Sequence, residues 1–196
     1  MQGDPTSTFY AENAEAYAGR LTEPSRRQLD LFLAKLRAGA DILELGCGNG
    51  RDSAEMIKRG FHATPTDGTP EMAEEAAKRL GVPVSVLRFE DIDAVEAFDG
   101  IWANACLLHV PRAKLGGILE RIRLALRPGG LFYASFKAGE AEGHDSLGRF
   151  YNYPSKGWLK ELYESLSWTS IEIAEEHGTA YDKRPTDWLH VLAARR

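Results

Sequence analysis

Short apolar runs rich in β-branched and aromatic residues alternate along the chain with longer stretches whose apolar positions recur every three or four residues. That is the pattern of a parallel sheet with helices on both faces. The runs Asp41–Leu45, Ala63–Asp67, Val84–Phe89, Gly100–Ala105, Leu131–Lys137, Ile171–Glu175 and Trp188–Ala194 read as strands. Between them, Arg51–Arg59 stops at Gly60. Pro70–Leu80 follows Thr69 as N-cap, carries Pro70 at its first helical position and ends at Gly81. The clearest helical stripe is Leu115, Ile118, Leu119, Ile122 and Leu126, stopped by Arg127-Pro128-Gly129-Gly130.

Ahead of the first strand, Glu12–Arg20 and Arg26–Arg37 read as helices, so residues 1–40 form a helical N-terminal part. Lys156–Ser165 reads as a late helix. No repeat or linker divides the chain, which predicts one domain over 1–196. The stretch poorest in regular structure is Ala138–Pro154, with Gly139, Gly143 and Gly148. So long a loop in a compact domain is usually functional, and it reads as a lid over a site.

Composition narrows the class. With 43% hydrophobic and 27% charged residues, and no apolar run near the roughly 18 residues of a membrane span, a water-soluble globular protein is expected. The start Met1-Gln2-Gly3-Asp4-Pro5 lacks the basic and apolar segments of a secretory signal, so a cytoplasmic location is expected. Cys47 and Cys106 fall inside apolar segments and read as reduced thiols. A net charge of -5 gives no general attraction to nucleic acid, and the Arg26-Arg27 and Arg195-Arg196 doublets read as solvated surface.

The candidate chemistry starts at Ile42-Leu43-Glu44-Leu45-Gly46-Cys47-Gly48-Asn49-Gly50-Arg51, where glycines alternate as a buried strand turns into a helix. Glycine there lets backbone amides approach a ligand near a helix N-terminus. Asp67 closes the second strand, where a carboxylate accepts hydrogen bonds from ribose hydroxyls. Together they predict an adenosine site; a glycine-rich turn without a ligand is the plain alternative. The spacing is G-x-G-x-G, not the G-x-G-x-x-G that packs under a dinucleotide pyrophosphate, and Arg51 stands where that fingerprint takes a small residue.

The run Glu44-Leu45-Gly46-Cys47-Gly48-Asn49-Gly50 resembles the signature of class I S-adenosylmethionine-dependent methyltransferases, and the similarity extends from about Asp41 to Arg196. The resemblance implies a Rossmann-like, seven-stranded, mostly parallel α/β sheet whose last strand, Trp188–Ala194, runs antiparallel between its neighbours. It also implies S-adenosylmethionine as cofactor, held by Glu44, Gly46, Cys47, Gly48 and Arg51, and then by Asp67, Gly68 and Met72. Glu90, Asp91 and Ile92 would meet the adenine; Asn104, Ala105 and Leu108 would flank the methionine portion. Tyr17 and Arg20 would fold over its end, with Arg20 reaching the carboxylate or simply lying on a surface helix. Phe136-Lys137, Gly148-Arg149-Phe150-Tyr151 and Trp188-Leu189 resemble small bacterial methyltransferases related to the tellurite-resistance group.

His109 follows Leu107-Leu108 at the sheet edge where ligands bind. It reads as a general base, a substrate contact, or a residue bonded to backbone before Pro111. Lys137, Arg149, Tyr151 and Tyr153 are the candidate acceptor contacts: a cation for an anionic acceptor, aromatics for a planar one, or ordinary loop anchoring. The expected activity is methyl transfer to a small molecule by in-line displacement, with no metal, membrane or nucleic-acid partner. The rivals are a sensor that binds the cofactor without transfer, a protein or RNA methyltransferase, and a nicotinamide dehydrogenase.

Overall fold

The computed structural model describes residues 4–20, 23, 26–180 and 184–196, with the side chain of Arg20 outside the description. Its centre is a seven-stranded sheet in the order β3-β2-β1-β4-β5-β9-β8. The strands are β1 (Asp41–Leu45), β2 (His62–Asp67), β3 (Ser85–Val86), β4 (Phe98–Ala103), β5 (Leu126–Lys137), β8 (Trp168–Thr179) and β9 (Pro185–Arg195). The first five pair in parallel, and β9 runs antiparallel between β5 and β8. This is the Rossmann-like arrangement expected.

Alternation along the central strands puts a core on each face. Leu43, Leu45, Ile101, Ala103, Phe132 and Ala134 pack on one side with Leu115, Leu119 and Ile122 of α6 (Arg112–Ala125) and with Leu159 and Tyr163 of α7 (Lys156–Glu164). Ile42, Trp102 and Tyr133 pack on the other, against Leu29, Phe32 and Leu33 of α3 (Arg26–Leu33) and Met56 of α4 (Arg51–Lys58). Trp102 and Tyr133 stack with ring centroids 3.9 Å apart. Helix α5 (Pro70–Leu80) follows β2, as expected. Among the described residues, no helix is long and apolar enough to cross a membrane.

Several expected boundaries move. Val84–Phe89 contracts to the two-residue edge strand β3; Leu87 still donates to Asp67 at 2.9 Å, and Phe89–Asp91 then forms a single 3-10 turn that brings Phe89 against the core. Leu126 leaves the expected helix stripe and opens β5, opposite Phe98. Pro128 has no amide hydrogen and pushes its predecessor to extended backbone, so α6 stops at Ala125. Strand β4 ends two residues early because Ala105, at φ 54°, turns the chain. The last two strands are longer than expected, since their outer faces are polar and weaken the apolar signal.

The N-terminus holds two helices where one was expected: α1 (Pro5–Glu12) and α2 (Ala14–Arg20), broken at Asn13. Asp4 caps α1, its carboxylate accepting from the amides of Thr6 and Ser7, and Pro5 occupies the first turn. The expected irregular loop 138–154 contains a small hairpin, β6 (Gly143–His144) paired with β7 (Phe150–Tyr151).

Candidate active site

All the pieces of the site hang from the carboxyl edge of the parallel strands. After β1 the chain turns through Gly46 and Gly48 at φ 61° and 56°, conformations that side chains with a Cβ resist. At Gly46 an added Cβ would lie 2.5 Å from Cβ of Cys106. At Gly48 it would meet only Met72 Cε at 4.0 Å, so this part of the turn faces open space. The Cys47 amide donates to the Thr66 carbonyl at 2.9 Å, tying the turn to β2. Burial pushes the Cys47 and Cys106 thiols up, well away from thiolate chemistry.

Asp67, 9% exposed at the end of β2, braces this turn. One carboxylate oxygen accepts from the Gly48 amide at 3.0 Å, the other from the Thr69 amide at 2.9 Å. Thr69 itself makes no side-chain cap bond to α5, contrary to expectation. Burial raises the Asp67 pKa to about 6, while these amides hold it down. The Thr69 hydroxyl and the Gly68 amide add to that restraint.

Beneath the turn lies a buried polar floor. Glu44 accepts from the Ser53 hydroxyl; burial, then neighbouring Asp52, lifts its pKa well above the carboxylate range. Asp52 accepts from Trp102 Nε1 at 3.0 Å and Asn104 Nδ2 at 3.2 Å, with Arg51 Nε 3.7 Å away. Ser135 Oγ donates to Asn104 Oδ1 and accepts from the Ala105 amide, both at 2.8 Å. Asn49 donates to the Ala18 carbonyl at 2.7 Å, fastening α2 over the turn.

These groups border one cavity of about 1340 Å³. Glu44, Gly46, Cys47, Gly48, Arg51 and Asp67 all line it, as do Gly68, Met72 and Glu90. Asn104, Ala105, Leu108 and Tyr17 complete the side expected to meet the methionine portion. Asp91 and Ile92 do not border it: Asp91 is exposed and Ile92 lies in the core, its carbonyl accepting from Arg121. The 3-10 turn rotates both away and leaves Leu87, Phe89 and Glu90 on the cavity wall. Of Arg20, the other expected contact, the backbone closes α2 and the side chain lies outside the description.

At the far end stand His109, Lys137, Arg149 and Tyr151. The Phe150 carbonyl, 2.6 Å from His109 Nδ1, can only accept, so Nδ1 carries the proton. His109 Nε2 therefore accepts from the Tyr10 hydroxyl at 3.0 Å. Burial, together with the Arg149 and Lys137 charges, lowers the His109 pKa to about 4 despite the Phe150 bond. The imidazole is neutral near pH 7. Arg149 is 3% exposed and ion-paired with Asp145 at 2.7 Å, with its guanidinium carbon 4.9 Å from the Phe9 ring centroid. Tyr153 stacks on Tyr151 at 5.3 Å and stays off the cavity wall.

Tyr10 and its neighbours on α1 escaped the sequence reading. The Thr6 hydroxyl accepts from the Phe150 amide at 2.9 Å, and Tyr10 meets Tyr17 edge to face at 5.1 Å. The signal that finds them is the capping pair Asp4-Pro5, which marks a helix start.

Residues 42–130, from β1 into β5, match a family described as a methyltransferase domain. The chain is an S-adenosylmethionine-dependent methyltransferase. This methyltransferase is 26% identical to the ubiquinone biosynthesis O-methyltransferase of Rickettsia conorii, over 93% of its own chain and 69% of that protein. It is 33% identical to the enzyme of that name from a Methylobacterium, over 50% of its own chain and 41% of that protein. Its fold matches Burkholderia thailandensis 1,6-didemethyltoxoflavin-N1-methyltransferase with S-adenosylhomocysteine bound, at TM-score 0.78 and 24% identity, covering 97% and 87% of the two chains.

The methyltransferase's residues fit that cofactor. The glycine turn offers backbone amides with open space at Gly48, and the buried Asp67 carboxylate stands beside it. Asp52, Asp67 and Glu90 make this end acidic, which suits a ligand carrying a sulfonium and an ammonium and opposes a pyrophosphate.

Proposed function

We propose that the methyltransferase acts on a small-molecule acceptor enclosed at the Tyr10–His109 end of its cavity, with one domain over 1–196 doing the work. The observation that carries this is the continuous cavity running from the glycine turn to that aromatic end, roomy enough for a cofactor and a second small molecule.

Bound S-adenosylmethionine supplies an already activated methyl group. Gly46, Cys47 and Gly48 would present the turn to it, Asp67 would accept from its ribose hydroxyls, and Leu87, Phe89 and Met72 would flank its adenosine. Tyr17 would cover its methionine end, against the floor of Glu44, Asn104 and Ala105. The other task of these residues is to hold the acceptor in line and keep water out. Helix α1 and the 138–154 segment supply the roof, tied together by the Thr6–Phe150 and Tyr10–His109 bonds. His109, neutral near pH 7, accepts from the Tyr10 hydroxyl and so fixes the direction in which the Tyr10 oxygen faces the acceptor. Lys137, on the cavity wall 4.0 Å from the Tyr151 ring centroid, is a cation placed to meet an acceptor. Tellurite and selenite are inorganic acceptors to assay as well, since part of the sequence resembles the tellurite-resistance group.

Titration calorimetry tests the cofactor reading. S-adenosylhomocysteine is expected to bind in the micromolar range, about -8 kcal/mol, and NAD not to bind. Equal or tighter NAD binding overturns it.

A further inference from the structure

The cavity changes character along its length, and its far end selects what fits beside the methyl donor. The walls there are Tyr10, Tyr17, Tyr151 and Trp188, with His109 and Lys137. Aromatic walls favour either a flat ring or a cation. The protein's own charges oppose the cation. The Lys137 ammonium sits 4.0 Å from the Tyr151 ring centroid and the Arg149 guanidinium carbon 5.4 Å from it.

The hydrogen-bonding atoms narrow the choice further. The Tyr10 hydroxyl gives its proton to His109 Nε2, because Nδ1 already donates to the Phe150 carbonyl. Arg149 Nη1 approaches the Tyr10 oxygen at 3.5 Å. With its proton committed and Arg149 already donating to it, that oxygen has one acceptor position left, and an occupant that bonds to it does so through an O–H or N–H. Burial raises a ring hydroxyl here, as it does that of Tyr151, and a facing ammonium opposes the rise, so the occupant such a charge holds as its anion is one already acidic in water, its proton passing to solvent.

We propose that the acceptor is a planar aromatic molecule bearing an acidic ring hydroxyl or ring N–H, hydrogen-bonded to Tyr10 and drawn towards its anion by Lys137. This rests on the methyl-transfer reading above and names its substrate class.

The test uses the full chain saturated with S-adenosylhomocysteine and 4-nitrocatechol as probe, since its visible absorbance reports its ionisation. Cyclohexanediol and phosphoethanolamine serve as non-aromatic and as zwitterionic comparators. The expected result is 4-nitrocatechol binding at least about tenfold tighter than either, with the bound probe ionising about one pH unit below the free one. Lys137→Met, or Lys137→Gln if the first does not fold, removes that shift. Tyr10→Phe weakens probe binding roughly tenfold. All three variants keep wild-type affinity for S-adenosylhomocysteine. Failure of 4-nitrocatechol to bind, equal binding of a comparator, or an unshifted ionisation overturns the proposal while leaving the cofactor site standing. Failure of S-adenosylhomocysteine itself to bind brings down the proposed function, and the substrate class with it.

Discussion

Gly46→Ala is expected to destabilise the protein by roughly 3 kcal/mol in urea unfolding, from two costs that add. An alanine held at φ 61° costs about 1–2 kcal/mol. Its Cβ, 2.5 Å from that of Cys106, forces overpacking worth about 1–3 kcal/mol more. The flexible end of a side chain can move aside, but the obstacle here is a Cβ fixed to the backbone, next to a thiol that donates to the Leu45 carbonyl at 3.1 Å. Gly48→Ala separates folding from binding. It meets nothing closer than Met72 Cε, so only the backbone cost of about 1 kcal/mol applies. Its methyl group enters the space assigned to the cofactor, and the variant should fold yet bind S-adenosylhomocysteine weakly. Equal stability of the two variants would show that the turn relaxes away from Cys106.

Asp67→Ala is expected to weaken S-adenosylhomocysteine binding by roughly 2–3 kcal/mol, through loss of charge-assisted bonds to the ribose. It also strands the Gly48 and Thr69 amides, so a lower melting temperature should accompany the loss. The pH dependence separates the two effects. Burial sets the free carboxylate near pKa 6, and ligand hydroxyls stabilise its ionised form, so binding lowers that pKa and releases a proton. Affinity therefore rises as pH increases through about 6 and levels off above it. The stability term has the opposite sense: a pKa raised on folding favours the folded state at low pH and is lost as pH rises through the same value. Asp67→Ala should flatten the affinity profile. Unchanged affinity with the fold intact would mean that another residue holds the ribose.

What the sequence made legible was whatever local chemistry determines. Alternating glycines after a buried strand, and an aspartate closing the next one, placed Gly46, Gly48 and Asp67 on one cavity. The position of β9 between β5 and β8 came from family resemblance, because strand order is set by long-range pairing that periodicity does not encode. Asp91 and Ile92 missed the cavity for a reason of scale: β3 stops after Val86, one 3-10 turn follows, and a one-residue rotation exchanges wall for core. Helix α1 was missed because its apolar residues form no clear stripe, although it contributes Tyr10. Arg149 read as an acceptor contact or a loop anchor, and its ion pair with Asp145, four residues earlier, is a contact of the second kind that the sequence spacing alone did not single out.

The central claim is methyl transfer to a small molecule in this cavity. Its most direct measurement incubates the protein with S-adenosylmethionine tritiated on the methyl group and a cell extract resolved into metabolite, protein and RNA fractions. Label is expected in the metabolite fraction with the wild-type protein and is lost with Asp67→Ala. Label in protein or RNA, or no transfer by a protein that binds S-adenosylhomocysteine, would contradict it.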